Sequence, residues 1–247
     1  MNTYRTAEVA GIIGVHPNTV RLYEELGLIP KPERRANGYR VFTDFHIDQF
    51  RVARLAFEIE VLQNGLRKKI VEMVKTSAAG DFDGALTLAG EYLLQVRRES
   101  RNAEDAIEIV RRILCGEPQE NGASLKRKEV CGRLNLSPDT VRNWEMNGLL
   151  TVKRRENGYR VYTDADIRRL KIIRSLRCAN YSLEAILRML NGLSYHPEAD
   201  IRALLDTPGE EGGILSACDK LISSLQKAES NAQIILRMLE DMKTKYS

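Results

Sequence analysis

The chain has 247 residues, of which 43% are hydrophobic, 6% aromatic and 29% charged, and its formal net charge is +4. This length allows two domains of ordinary size, each with its own core. No apolar run approaches a membrane span and no secretory signal is apparent, so the sequence predicts a cytoplasmic protein with no membrane partner. The four cysteines lack paired spacing, which argues against a disulfide framework and a zinc ribbon.

Two stretches of the chain are near-repeats of each other. Residues 17–44 and 138–164 share Pro-x-Thr-Val-Arg-x-aromatic-Glu, then a pair of arginines, then Asn-Gly-Tyr-Arg-Val-aromatic-Thr-Asp. A match of this length, interrupted by one lost residue at a turn, indicates an internal duplication. The chain is therefore interpreted as two copies of one structural plan.

Each copy begins with a predicted helix-turn-helix. Residues 6–15 and 127–136 each give a short amphipathic helix and a tight turn, after which a proline opens the next helix, where a missing N–H does no harm. Gly27 and Gly148 end that second helix in the left-handed conformation that glycine tolerates. The second helix of such an arrangement can enter a DNA major groove.

A predicted β-hairpin follows each helix-turn-helix. An Asn-Gly pair suits a turn with positive φ, and the residues after it alternate in polarity as a strand does. Arginines flank both turns, at Arg34, Arg35 and Arg40 in the first copy and at Arg154, Arg155 and Arg160 in the second. Because cationic side chains on such a ribbon are placed to neutralise phosphates, we interpret each hairpin as a wing.

Further helices are predicted after each wing. In the first copy one starts at Thr43 and another runs from about Gly65 to Lys75, and in the second copy Thr163 and Ser182 are the start signals. These helices are expected to cover the helix-turn-helix.

Each copy then continues into a long helix. Apolar residues alternate steps of four and three over residues 82–115 and again over residues 214–243, a pattern that predicts a coiled-coil seam. Both seams have small residues at their centres, which antiparallel pairing would superimpose. The pairing is expected within one chain, and the alternative is a dimer of two chains with four winged units.

Both copies resemble the mercury-resistance regulator (MerR) family of bacterial transcription factors, whose helix-turn-helix is followed by a wing ending Gly-Tyr-Arg-x-Tyr/Phe-Thr. The resemblance implies a winged helix-turn-helix, two further helices and a long helix that forms an antiparallel coiled coil between subunits. It also implies binding to a promoter whose spacer is too long, and distortion of that DNA so that RNA polymerase can engage both promoter elements. The chain departs from the family where two adjacent tyrosines are common, since it has Leu22-Tyr23 and Asn143-Trp144 there.

The sequence therefore predicts a mainly α protein with two winged helix-turn-helix units, each followed by a long coiled-coil helix, paired antiparallel as an intramolecular pseudo-dimer. The predicted segments are a first winged unit (1–80), a first long helix (81–115), a linker (116–124), a second winged unit (125–192), an extra helix and loop (193–213) and a second long helix (214–247).

Basic charge is concentrated in the winged units. Residues 1–80 hold 12 Lys and Arg against 9 Asp and Glu, and residues 125–191 hold 15 against 7. Residues 81–124 hold 5 against 9, and residues 192–247 hold 6 against 9. This distribution is what a polyanionic partner such as double-stranded DNA requires.

The predicted DNA contacts lie on the second helix of each helix-turn-helix and on the wings. For Trp144 the alternative is core packing, because tryptophan is usually largely buried. The full set is Thr19, Arg21, Tyr23, Arg34, Arg35, Tyr39, Arg40, Thr140, Arg142, Trp144, Arg154, Arg155, Tyr159 and Arg160.

Neither catalysis nor a cofactor is expected, because the sequence has no phosphate-binding loop or zinc-protease motif and its three histidines are scattered. A thiol sensor is one further possibility, since antiparallel long helices would bring Cys115 and Cys218 together. The alternative is that Cys218 is an ordinary seam residue. Cys131 and Cys178 are interpreted as core residues.

Two functions from different classes fit these observations. The first is a transcriptional regulator that binds an imperfectly symmetric promoter operator and distorts its spacer. The second is an architectural or chromosome-organising protein that uses the same winged units to bend or bridge DNA without promoter control.

Overall fold

The computed structural model of the chain describes residues 2–59, 62–114, 124–154, 158–195 and 214–246. The protein is mainly helical, as predicted, and divides into two compact units. The first unit comprises Met1–Arg97 and Ser224–Ser247, and the second comprises Arg98–Ser223. Most of the predicted linker and most of the predicted extra helix and loop, at residues 116–123 and 196–213, lie outside the described residues.

The first copy forms the elements that its sequence predicts, with one additional strand. They are β1 (Thr3–Tyr4), α1 (Thr6–Ile13), α2 (Pro17–Glu25), β2 (Glu33–Arg34), β3 (Arg40–Thr43), α3 (Asp44–Ala56), α4 (Leu66–Ala78) and the long helix α5 (Phe82–Leu114).

The second copy repeats this order. Its elements are β4 (Ser124–Leu125), α6 (Arg127–Leu134), α7 (Pro138–Met146), β5 (Lys153–Arg154), β6 (Arg160–Thr163), α8 (Asp164–Cys178), α9 (Leu183–Tyr195) and the long helix α10 (Ile214–Tyr246). Ser124, which the sequence assigned to the linker, is the first residue of β4.

Each wing belongs to a three-stranded antiparallel sheet instead of a simple hairpin. The strand orders are β1-β3-β2 and β4-β6-β5. The residues just before the first helix of each copy supply the extra strand, so that Tyr4 pairs with Phe42 and Leu125 with Tyr162. The central strand thereby pairs with the other wing strand on one side and with the residues before the helix-turn-helix on the other.

Side-chain caps fix where the helices after the wings begin. At the start of α8, the Thr163 hydroxyl accepts the Asp166 N–H at 3.3 Å and the Asp166 carboxylate accepts the Thr163 N–H at 2.8 Å. At the start of α3, the Nδ1 of His46 accepts the Thr43 N–H at 3.0 Å. Both caps satisfy N–H groups at a helix start, and the cap of α8 does so in both directions.

Within each compact unit, the winged segment packs against the long helix of the other copy. In the second unit, Ile107 and Val110 of α5 belong to the same core cluster as Val141 and Tyr162. In the first unit, the Asn231 side chain of α10 donates to the Leu55 carbonyl at 3.2 Å. Each compact unit therefore combines the winged segment of one copy with part of the long helix of the other.

The first unit also contains ends of both long helices, and these run antiparallel. Lys243 pairs with Asp83 at 2.5 Å, and Arg97 pairs with Glu229 at 2.8 Å. The two pairs share one antiparallel register, because Arg97 lies 14 residues after Asp83 and Glu229 lies 14 residues before Lys243. The predicted seam positions of α10 from Leu221 to Met242 are all buried.

Candidate nucleic-acid interface

The second helix of each helix-turn-helix is fixed at both ends by local hydrogen bonds. His16 Nδ1 accepts the Asn18 N–H at 3.2 Å at the start of α2, and Ser137 Oγ accepts the Thr140 N–H at 3.0 Å at the start of α7. Gly27 and Gly148 have φ of +68° and +74°, the left-handed conformation predicted for the helix ends.

The arginines predicted to lie on this helix are exposed. Arg21 and Arg142 are both on the surface, while Val20 and Val141 next to them are fully buried. Thr19 and Thr140 are half-buried. The Thr140 hydroxyl lies 2.8 Å from the Ser137 hydroxyl, so it takes part in the helix cap. Each helix thus buries one face in the winged unit and presents an arginine to solvent.

The described residues near the wing tips are largely exposed. Tyr39 and Tyr159 are 71% and 70% exposed, and Arg34 and Arg35 are also on the surface. The Arg35 N–H donates to the Tyr39 carbonyl at 2.9 Å and so closes the turn. Arg155 and the side chain of Arg154, both predicted DNA contacts, lie outside the described residues.

One wing arginine in each copy contacts an acidic side chain from the second helix of the helix-turn-helix. In the first copy, Arg40 Nε lies 2.5 Å from a carboxylate oxygen of Glu24. In the second copy, Arg160 Nε lies 2.7 Å from Glu145. The two carboxylates are only 8% and 9% exposed, so each ion pair ties the wing to the helix beside it.

The second copy adds two partners to this carboxylate. Arg127 donates to both Glu145 oxygens at 3.0 and 2.8 Å, and the Tyr162 hydroxyl donates to Glu145 at 2.5 Å. Burial raises the pKa of Tyr162 to about 12, and the hydrogen bond to the carboxylate acts in the same direction. The hydroxyl therefore remains a donor at neutral pH.

Comparison with known proteins identifies both copies. The family described as "MerR family regulatory protein" matches residues 5–42, and the family described as "MerR HTH family regulatory protein" matches residues 125–193. Both winged units are of the MerR type. No solved structure matches the chain.

Named relatives of the MerR type match part of the chain. The mercuric resistance operon regulatory protein of Bacillus cereus is 37% identical over 65 residues, which is 26% of this chain and 49% of that protein. The HTH-type transcriptional regulator ZntR of Escherichia coli K12 is 38% identical over 64 residues, 26% of this chain and 45% of ZntR. CueR of Escherichia coli O6:H1 is 38% identical over 53 residues, 22% of this chain and 39% of CueR. The chain thus spans less than half of each relative's length.

The two aromatic residues of the second helices that are predicted to contact DNA, Tyr23 and Trp144, sit deeper in the MerR-type units than the neighbouring arginines. Trp144 is 5% exposed and belongs to the core cluster of the second unit, which fits the core-packing alternative. Tyr23 is half-buried and its ring stacks on Phe50, with centroids 4.4 Å apart. Little of the Trp144 side chain is therefore available to DNA.

A side-chain donor from the helix after the wing, buried in the first copy and half-buried in the second, supports the residues just after the second helix in both MerR-type units, and sequence reasoning missed it. The Gln49 amide of α3 donates to the Leu28 carbonyl at 3.1 Å and to the Val74 carbonyl at 2.9 Å. In the second unit, Arg169 Nε donates to the Leu149 carbonyl at 2.6 Å. Burial lowers the pKa of Arg169 from its usual value.

The cysteine predictions are resolved only in part. Cys131 and Cys178 are buried free thiols, as predicted, and burial raises the pKa of Cys178 to about 12. Cys115 and the side chain of Cys218 lie outside the described residues, so the proposed thiol pair stays a prediction. Within the described ranges, no cluster of His, Cys, Asp and Glu could hold a metal ion, and no helix could span a membrane.

Proposed function

We propose that the protein is a transcriptional regulator that binds double-stranded DNA through its two MerR-type units. The observation that carries this proposal is the pairing, in each unit, of an exposed arginine on the second helix with an arginine-bearing wing tied to that same helix. The side chains that we propose to read the groove and to contact phosphates are thus connected through these ion pairs. The named relatives are regulatory proteins, which agrees with a role other than catalysis.

The operator is proposed to be imperfectly symmetric. Matched positions of α2 and α7 carry different side chains, including Leu22 against Asn143 and Glu25 against Met146. Leu22 and Met146 are 49% and 78% exposed, so the differences lie on the surface. A homodimer presents two identical reading surfaces, whereas this chain presents two unlike ones.

Selection from random duplex DNA tests this proposal. We expect a bipartite site whose halves differ. A perfectly palindromic consensus would contradict the asymmetry, and the absence of any enriched sequence would contradict the regulator proposal. Genome-wide capture then separates the two functional classes, because sites in promoter spacers favour regulation and dispersed sites favour an architectural protein.

Distortion of an overlong promoter spacer and contact with RNA polymerase are finer parts of the same proposal. Both rest on the resemblance of each winged unit to the MerR family. They are tested by in vitro transcription from promoters whose spacer length is varied. If the protein alters transcription equally at every spacer length, spacer distortion is wrong.

We further propose that one chain supplies both halves of the regulator, as a monomeric pseudo-dimer in solution. The antiparallel contacts of Asp83 with Lys243 and of Arg97 with Glu229 support this arrangement. Cysteines substituted for Arg97 and Glu229 test it, because the ion pair is exposed and its loss alone has little effect on stability. A disulfide within one chain is expected, and a disulfide between chains would indicate an exchanged dimer.

A further inference from the structure

We propose that the two winged units contribute unequally to DNA affinity, with the second unit acting as the electrostatic anchor. This inference rests on the proposed DNA-binding function. It assigns most of the phosphate neutralisation, and so most of the salt-dependent affinity, to the helix-turn-helix and wing of the second copy.

Three matched surface positions carry the asymmetry. The second residue of the first helix is Ala7 in one copy and Lys128 in the other, and the seventh is Ile12 or Arg133. On the outer wing strand, Glu33 and Lys153 occupy the same register, opposite Val41 and Val161. All six side chains in these three pairs are exposed, so cations in the second unit replace neutral or acidic groups in the first.

The difference remains when the whole helix-turn-helix and wing are counted. Residues 3–44 hold 6 Lys and Arg against 5 Asp and Glu, whereas residues 124–164 hold 9 against 5. The comparison includes an exchange in the opposite direction, since Asp139 stands where the first copy has Asn18. The excess positive charge therefore belongs to the elements that the fold assigns to DNA.

Basic residues outside these elements contribute less to the asymmetry than their number suggests. On α8, Arg174 pairs with the buried Glu99 at 2.7 Å and Lys171 pairs with Asp105 at 3.0 Å. Both acidic residues belong to α5. These cations are paired with carboxylates within the second compact unit. The number of cations in residues 125–191 that can contact DNA is therefore smaller than their total number.

Strand β6 of the second wing also has a donor to its neighbouring helix that the first wing lacks. Glu145 receives hydrogen bonds from Arg127 and Tyr162 as well as the ion pair with Arg160. The first unit has Thr6 and Phe42 at the positions of Arg127 and Tyr162, so it lacks both the guanidinium and the phenol hydroxyl that bind Glu145 in the second unit. A strand fixed to its neighbouring helix before binding loses less conformational freedom on DNA, which favours the second unit again.

The experiment exchanges the three matched residues in the full chain. One variant combines Lys128→Ala, Arg133→Ile and Lys153→Glu, which gives the second unit the residues of the first. A control variant makes the same changes in charge at exposed positions of α5, with Arg98→Ala, Arg101→Ile and Arg111→Glu. The probe is a scrambled duplex of about 30 base pairs, long enough for two half-sites separated by a helical turn or two. Its affinity is measured across a range of salt concentrations.

We expect the exchange in the second unit to reduce the slope of log affinity against log salt by about two to three units, since each lost phosphate contact removes about 0.9. The α5 control should keep the wild-type slope. The inference is overturned if the exchange leaves the slope unchanged, or if the control lowers it equally, because the location of the charge would then be irrelevant. If the wild-type protein binds no duplex at all, the proposed function fails instead, so the two failures are distinguishable.

The reciprocal variant completes the design. Ala7→Lys, Ile12→Arg and Glu33→Lys give the first unit the cations of the second, and we expect a steeper salt dependence and tighter binding to the scrambled duplex. Binding that is weaker than that of the wild type would contradict the assignment of these positions to the DNA-facing surface.

Discussion

Removing one partner of the buried ion pair between Glu99 and Arg174 is expected to destabilise the second unit strongly. Their side chains are 2% and 7% exposed and lie 2.7 Å apart, joining α5 to α8. Glu99→Gln keeps the size and shape of the side chain but leaves the Arg174 charge in a desolvated site. Breaking a buried pair in this way typically costs about 3–5 kcal/mol. Because glutamine still offers an acceptor, we expect about 3 kcal/mol.

The chain offers both a specific probe and a matched control. Trp144 is the only tryptophan and is buried in the second unit, so its fluorescence during urea denaturation reports the unfolding of that unit. Glu108→Gln on the same helix breaks the exposed pair with Arg112, whose side chains are 54% and 57% exposed. That change should alter the free energy of unfolding by less than about 0.5 kcal/mol.

A double substitution separates the effect of the unpaired charge from that of the lost contact. Glu99→Leu combined with Arg174→Met replaces both charges by apolar groups, and such replacements of buried pairs are often neutral or stabilising. We expect stability within about 1 kcal/mol of the wild type. The reasoning is wrong if Glu99→Gln is as mild as Glu108→Gln, or if the double variant is less stable than Glu99→Gln.

Three further substitutions probe the first winged unit. Arg40→Gln removes the cation beside the Glu24 carboxylate and should lower the free energy of unfolding by about 1–3 kcal/mol. It should also lower the slope of log DNA affinity against log salt by about one unit. A changed slope at unchanged stability would contradict a structural role for the ion pair. Gln49→Leu removes the amide that donates to two buried backbone carbonyls and should cost about 2 kcal/mol, so an unchanged thermal midpoint by circular dichroism would count against it. Burial lowers the pKa of His46 below its usual 6.5, although the nearby Glu24 charge opposes this shift. The unfolded chain therefore takes up the proton first, and the wild type should lose stability as pH falls below about 6.5, whereas His46→Asn should not; parallel pH profiles would refute the argument.

Much of the fold could be predicted because the same sequence pattern occurs twice in the chain. The turn glycines, the prolines at helix starts and the Asn-Gly wing turns recur in both copies, and each is a local signal with a local cause. The long helices were equally predictable, since an apolar repeat over many residues leaves one interpretation. Strands β1 and β4 were not predictable in this way, because each has only two residues and forms by pairing with a distant strand.

The candidate interface was less predictable, because it depends on tertiary contacts. Arg40 and Arg160 were identified from charge and position, but their pairing with Glu24 and Glu145 depends on how the wing folds against the helix. Glu24 and Arg40 recur at matched positions as Glu145 and Arg160, and this recurrence in the sequence could have indicated the ion pair. Trp144 had two interpretations in the sequence, since helical periodicity alone does not distinguish a residue at the edge of the reading face from one in the core.

The central claim is that one chain presents two unlike MerR-type units to a single DNA site. Analytical ultracentrifugation of the protein with a duplex obtained by selection tests this directly, combined with footprinting of the same complex. We expect a complex that contains one 28.0 kDa chain per duplex and protects two dissimilar half-sites. Two chains bound to one duplex, with each chain protecting only one half-site, would contradict it.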